Sequence, residues 1–185
     1  MNYQLSEFYK RDTSFVFDLK QNPINWLELR NGKAYNFDKP LIYNVDKIDS
    51  YLDDYDILPS IGITLISKKF ASLINHLINK EIQFFDVIIF DNNKNSNINF
   101  VALNLLKVIP ILDKEKSVFD VDEDNYYDIH KFYIKSNSLE DYSIVRMEEH
   151  KSYIIVSEEF KKRCEEANLK GVEFIEEGHS IYTDI

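Results

Sequence analysis

The sequence holds one cysteine, Cys164, among 185 residues. A lone thiol forms no intramolecular disulfide and builds no cysteine-rich zinc site, which suits a reducing compartment. Glycine is also scarce. Gly32, Gly62, Gly171 and Gly178 are scattered, so neither G-x-G-x-x-G nor a P-loop exists to cradle phosphate. With four prolines and no Gly/Ser-rich tract, no linker divides the chain. No apolar run reaches the ~18 residues of a membrane span: residues 84–90 are broken by Asp86, and 108–112 contain Pro110. The N-terminal MNYQLSEFYKRDTSFVFDLK carries charge where a signal peptide has an apolar core. Positive charge is the last scarcity: 22 Lys and Arg face 32 Asp and Glu, a net charge of −10. That balance argues against sequence-independent nucleic-acid binding, which rests on cations against phosphate, and favours a cationic partner. The bounded reading is one cytoplasmic domain over 1–185, with no membrane or nucleic-acid partner. A chain of this size buries about 70% of its unfolded surface.

What is present is mostly strand pattern. Residues 13–19 alternate, and Trp26-Leu27-Glu28-Leu29-Arg30, Asn31-Gly32, Lys33-Ala34-Tyr35-Asn36-Phe37 read as a hairpin, because Asn-Gly favours a type I′ turn. Residues 46–56 are a short helix or a loop. Ile61 to Ile66 read as a buried strand, which Ser67 ends as a helix cap. Phe70, Leu73, Ile74, Leu77 and Ile78 then form the i, i+3, i+4 stripe of an amphipathic helix. Residues 82–90 return as a strand, giving a β-α-β unit. Its polar sequel, 91–97, reads as a hairpin loop. Residues 98–109, 131–135 and 142–146 supply further strands. A second unit follows: strand 153–156, cap Ser157, a helix with Glu158 and Glu159 in its first turn and Phe160, Cys164 and Ala167 on one face, Gly171 as its left-handed end, and strand 172–175. The units align at an offset of 90 residues, with Ser67 on Ser157, Phe70 on Phe160, Lys80 on Lys170 and Phe84 on Phe174. The fold class expected is α+β: mixed, largely antiparallel sheets with two amphipathic helices in two similar β-α-β units. Residues 1–57 form a β-rich N-terminal part and 58–177 the core.

Chemical motifs are few. Asp120, Asp122 and Asp124 imitate the opening of a calcium loop, but Asn125 stands where Gly is needed and Lys131 where a bidentate Glu belongs. His76, His130, His150 and His179 show no metal-ligand spacing. Cys164 lies on an apolar helix face, where a thiol is structural. Ser67 and Ser157 lack the glycines of a nucleophile elbow. No catalytic residue, metal or cofactor is assigned. The remaining signal is acid interleaved with aromatics. Residues 46–56 hold five acids against one lysine, and 113–128 hold seven against two. Carboxylates around aromatic anchors suit a cationic protein partner; a solvated face explains the same composition. The binding candidates are Asp49, Asp53, Asp54, Tyr55, Asp56, Asp120, Asp122, Glu123, Asp124, Tyr126 and Tyr127.

Three strings, LPSIGITLISKKFASLINHLINKEIQFFDVII, NFVALNLLKVIPILDKEKSVFD and VRMEEHKSYIIVSEEFKKRCEEANLKGVEF, resemble in order the blocks of a bacterial immunity-protein family typified by a myxobacterial immunity protein. The matching residues are Leu65-Ile66-Ser67, Asn104-Leu105-Leu106 with Asp113 and Ser117, and Val156-Ser157-Glu158-Glu159-Phe160 through Gly171-Val172-Glu173-Phe174. Leu105 departs from the family's Val. The resemblance implies an antidote to a polymorphic toxin, a cognate toxin as partner, and no catalytic residues. Two readings of other classes stand beside it: an enzyme that reverses the toxin's modification, and a self-associating structural protein.

Overall fold

A computed structural model describes residues 1–179; residues 180–185 of the expected 1–185 domain lie outside the described residues. The elements are β1 (Asn2–Glu7), β2 (Phe15–Phe17), α1 (Trp26–Leu29), β3 (Leu41–Asn44), β4 (Ile57–Leu58), β5 (Ser60–Ile61), β6 (Leu65–Ser67), α2 (Lys68–Leu73), β7 (Ile82–Phe90), β8 (Ser96–Asn97), β9 (Phe100–Leu105), β10 (Val108–Ile109), β11 (Val118–Val121), β12 (Tyr127–Lys131), β13 (Ile144–Met147), β14 (Ile154–Ser157), α3 (Glu158–Glu166) and β15 (Val172–Glu176). The large sheet runs β4-β6-β9-β7-β3-β2-β5, with β8 paired to β7; a second runs β10-β13-β14-β1-β15; β11 and β12 form a separate ribbon. Parallel pairs occur at β2–β5, β3–β7 and β10–β13, and every other pair is antiparallel. The protein is therefore mostly strand, α+β-like, with few and short helices.

Both β-α-β units are present, and each is split. Strands β6 and β7 are parallel but not adjacent, because β9 pairs antiparallel with both. In the second unit β1 separates β14 from β15 in the same way. The N-terminal strand thus completes the C-terminal unit. Ser67 caps α2 by accepting from the Phe70 amide at 3.0 Å, and Ser157 caps α3 by accepting from the Phe160 amide at 3.3 Å. The equivalent Phe70 and Phe160 rings meet with centroids 6.2 Å apart. They lie in one core between the two sheets, with Ile66, Leu103, Ile154 and Val156.

Two further cores cover the outer faces. Residues 9–65 wrap the far side of the large sheet, burying Phe15, Leu29, Tyr43 and Leu52 against Phe85 and Ile89. Residues 111–139 cover the far side of the second sheet against Val145, Met147 and Ile155. β9 is buried at every position because both its faces are covered. The sheets are also tied by Glu81, which is buried and whose carboxylate accepts from the Ser143 and Ile144 amides at 2.7 and 2.9 Å.

Several local readings change. Residues 26–30 are not a strand: Asn25 accepts from the Leu27 amide at 2.9 Å and caps the four-residue helix α1. Gly32 takes a positive φ but Asn31 does not, so no type I′ turn forms. The 61–66 run is broken at Gly62 (φ 148°), where a Cβ would come 2.9 Å from the Phe17 Cβ. The 98–109 run splits into β9 and β10, which belong to different sheets. α2 ends at Leu73 in a 3-10 turn (Asn75–Leu77), and Asn79, at φ 63°, ends the helical path, leaving Ile78 exposed. After α3 the helix-ending left-handed position is held by Asn168 (φ 50°); Gly171, three residues later, is left-handed as well (φ 80°). Gly171 also allows a close approach, since a Cβ there would sit 2.7 Å from the Phe8 carbonyl oxygen and from Tyr55. Of 131–135 only Lys131 belongs to a strand, β12, while Ile134 bridges Leu112.

One surface has no cover among the described residues. Register places Ile61, Val16, Asn44 and Phe90 in one row across β5, β2, β3 and β7, with Ile42 beside Ile88 in the next row. This is the face that, further along β7 and β9, packs under α2 through Ile82 and Leu105. The helices end before β3, and the sheet continues without them.

Candidate functional site

The two acidic patches have different fates. In the first, three of five candidates turn inward. Asp49 is 8% exposed and accepts from the Tyr9 hydroxyl at 3.0 Å and Arg11 Nε at 2.8 Å. Burial and then the Asp49 hydrogen bond push the Tyr9 phenol above its ordinary range, while Asp46 and Asp49 raise Arg11. Tyr55 is buried, its hydroxyl accepting from the Lys10 amide at 3.2 Å and its ring meeting Tyr9 at 4.6 Å. Asp56 is 6% exposed and accepts from the Ser67 hydroxyl and the Lys170 amide, with Lys69 Nζ at 3.6 Å. The Asp56 carboxylate thereby orients the hydroxyl that caps α2. Burial removes Asp49, Tyr55 and Asp56 from any surface open to a partner. Asp53 and Asp54 remain exposed on a 3-10 turn (Leu52–Asp54). Asp53 holds the loop before β9 by accepting from Asn97 and Asn99 at 2.7 and 3.0 Å, and Lys170 lies 3.9 Å from Asp54.

The second patch is the β11–β12 ribbon, and it stays outside. Asp120, Asp122, Glu123, Asp124 and Tyr126 are all exposed. Asp122 Oδ1 accepts from the Asp124 and Tyr126 amides at 3.0 and 2.8 Å and closes the turn, with Asn125 at φ 60°. That carboxylate shapes the loop, which is why calcium-like spacing does not become calcium-like geometry. Asp120 sits directly across from Asp128, a like-charge pair that weakens a ribbon. His130 Nε2 lies 2.8 Å from Asp120, and this hydrogen bond raises the imidazole. Tyr126 is the exposed aromatic at the tip, its hydroxyl 2.7 Å from His150 Nε2. Burial lowers the His150 pKa. Tyr127 is half-buried: it packs on Phe119, and Lys114 both donates to its hydroxyl at 2.6 Å and lies over its ring. Val118 and Val121 are exposed beside the acids.

The groups considered for catalysis serve the fold. Cys164 is buried and its thiol is pushed up to about 12 by burial, far from the thiolate a nucleophile needs. Ser67 and Ser157 are helix caps. His76 meets Arg163 at 3.2 Å and His179 lies 3.7 Å from Glu176, so the four histidines have separate partners. No cluster of three or more His, Cys, Asp or Glu fit to hold a metal occurs among the described residues. No described helix is long and apolar enough to cross a membrane.

One feature had no signal in the sequence. Arg146, in the strand run Ile144–Met147, is 1% exposed and donates to the Lys151 carbonyl. Its Nε and Nη2 have no hydrogen-bond partner among the described residues. Burial, then the charge of Arg30, lowers its guanidinium to about 9, so it keeps its proton at neutral pH. Arg30 stacks on Trp26 at 4.4 Å and donates to the Gly62 carbonyl at 2.8 Å. Alternation in 142–146 marked a strand and gave no hint that its arginine points inward.

Compared with known proteins, a model described as an immunity protein family matches residues 14–179. No curated protein matches the chain.

Proposed function

We propose, from the premise that this chain belongs to the Imm11 immunity protein family, that it neutralises a cognate bacterial toxin by binding it and covering its active site. Family membership indicates an immunity role and, with it, a toxin as partner. The observation that carries the contact surface is the β11–β12 ribbon, which presents Asp120, Glu123 and Asp124 around exposed Tyr126. An aromatic anchor within carboxylates fits a cationic cleft: charge speeds encounter and the ring supplies buried area. Asp53 and Asp54 extend the acidic surface. A toxin acting on nucleic acid or another polyanion has the basic surface this pattern complements, and the site of action proposed is the bacterial cytoplasm.

The test is co-expression with the product of the adjacent gene, followed by co-purification and growth measurement. Binding immunity gives a stable complex together with rescue from growth arrest. Reversing Asp120, Glu123 and Asp124 to Lys, while sparing the turn-forming Asp122, is expected to slow association and weaken the complex without changing the unfolding midpoint. Rescue with no complex would replace this reading with an enzyme acting on the toxin's product.

A further inference from the structure

The uncovered part of the large sheet is apolar where it is flat and acidic where it ends. Val16 and Ile61 are register partners, 40% and 48% exposed. Beside them Ile42 and Ile88 line an open groove of about 690 Å³ walled by Pro23, Phe37 and Pro40. Outward Val16, Ile42, Ile61 and Ile88 on the neighbouring strands β2, β3, β5 and β7 depart from the polar alternation of a solvated sheet face. Such patches mark interaction sites.

The rim says what the occupant is. Asp18 holds its carboxylate against the face by accepting from Asn44 and Gln21, each at 2.8 Å, so its hydrogen-bond donors there are neutral. Asp86 shares the face on β7, one row beyond Ile88, and Asp38 lines the groove. Asp38 and Asp86 are exposed and make no ion pair or side-chain hydrogen bond among the described residues. Lys39 is the cation that lines the same groove. A second copy laid face to face would bring two acidic rims together, and like charges suppress such pairing. An apolar patch edged by Lys or Arg meets both parts of the surface.

We propose that the open face of β5, β2, β3 and β7 is a docking surface for the cognate toxin, which sets an apolar patch on Val16, Ile42, Ile61 and Ile88 and basic side chains against Asp18, Asp38 and Asp86. The proposal rests on the toxin-binding reading above and names a surface distinct from the ribbon. It is read with the co-expressed adjacent-gene product as probe. Val16→Lys/Ile61→Lys alters two partly exposed side chains and is expected to weaken the complex at least ~30-fold, the effect of losing a central anchor. Asp38→Lys/Asp86→Lys leaves the apolar residues in place and is expected to slow association several-fold, more at low salt than at high. It also decides the matter should the first variant fail to fold. Hydrogen exchange is expected to slow across β2 and β3 in the complex. A wild-type complex that neither variant weakens overturns the face and leaves the ribbon as the site. A wild-type dimer that Val16→Lys/Ile61→Lys dissolves assigns the face to self-association and overturns the proposal. No binding by wild type overturns the toxin-binding reading itself, and this surface with it.

Discussion

Ser67→Ala is expected to cost far more stability than Ser157→Ala, although the two serines occupy the same place in the two units. Each hydroxyl accepts from the third helical amide, at 3.0 Å from Phe70 and 3.3 Å from Phe160. Losing such a cap costs about 1 kcal/mol. Ser67 also donates to Asp56, which is 6% exposed, and removing a hydrogen bond to a buried carboxylate costs about 1.5–3 kcal/mol more. Asp56 keeps the Lys170 amide at 2.8 Å and Lys69 at 3.6 Å, which holds the added loss to the lower part of that range. The totals are about 2.5–3 kcal/mol for Ser67→Ala and about 1 kcal/mol for Ser157→Ala. Urea unfolding at pH 7 measures both. The helices share one core, so a single transition with unchanged slope is expected in each variant. In an Asp56→Asn background the Ser67 loss should shrink toward the cap alone. Equal losses in the two serine variants would refute the link between Asp56 and the cap.

Phe160→Ala opens the core where the two units meet, and a loss of about 3–5 kcal/mol is expected; a thermal midpoint lowered by less than about 5 °C would mean the helices pack only loosely. Cys164, with its thiol pushed up to about 12, should react with a thiol reagent at the rate of global unfolding, so fast labelling of the native protein would contradict its burial. Asp18 is held down to about 2 by Gln21 and Asn44, against an ordinary 3.8. A depressed carboxylate contributes stability above its unfolded value and loses it as pH falls through its folded one. The urea midpoint of wild type should therefore fall more steeply between pH 4 and pH 2 than that of Asp18→Asn, and parallel curves would count against those contacts.

The helices and their caps were legible because their signals are local. A serine before an i, i+3, i+4 stripe states both the start of the helix and its buried face. The strands inserted between the arms of each unit were not legible. β1 pairs with β14 residues 149 to 155 positions away, and nothing within six residues announces it. α1 was misread for the opposite reason: four residues are too few to show a helical period, and the Asn-Gly that follows has the spelling of a hairpin turn. Among the site candidates, charge alone could not separate Asp49 and Asp56 from Asp53 and Asp54. The partners that turn the first two inward, Arg11 and Lys170, lie 38 and 114 positions away. The uncovered sheet face was missed because its residues have the apolar spelling of a core, and only register shows that the helices stop short of it.

The acids divide by what they join. Asp49 ties the chain at 9–11 to the turn before β4, Asp56 ties both helical units together, Glu81 ties one sheet to the other, and Asp91 closes the β7–β8 loop by accepting from the Asn93 and Asn95 amides. All four are buried, and each satisfies donors that would otherwise be stranded, so their charge is spent inside the fold. Asp120, Glu123, Asp124, Asp38 and Asp86 satisfy no backbone donor among the described residues, and all five are exposed. A protein that must match one partner needs positions whose replacement leaves the fold intact, and these carboxylates meet that condition while the buried four do not. Substituting Glu81 should therefore unfold the protein before any effect on binding can be read, whereas substituting Glu123 should change binding alone.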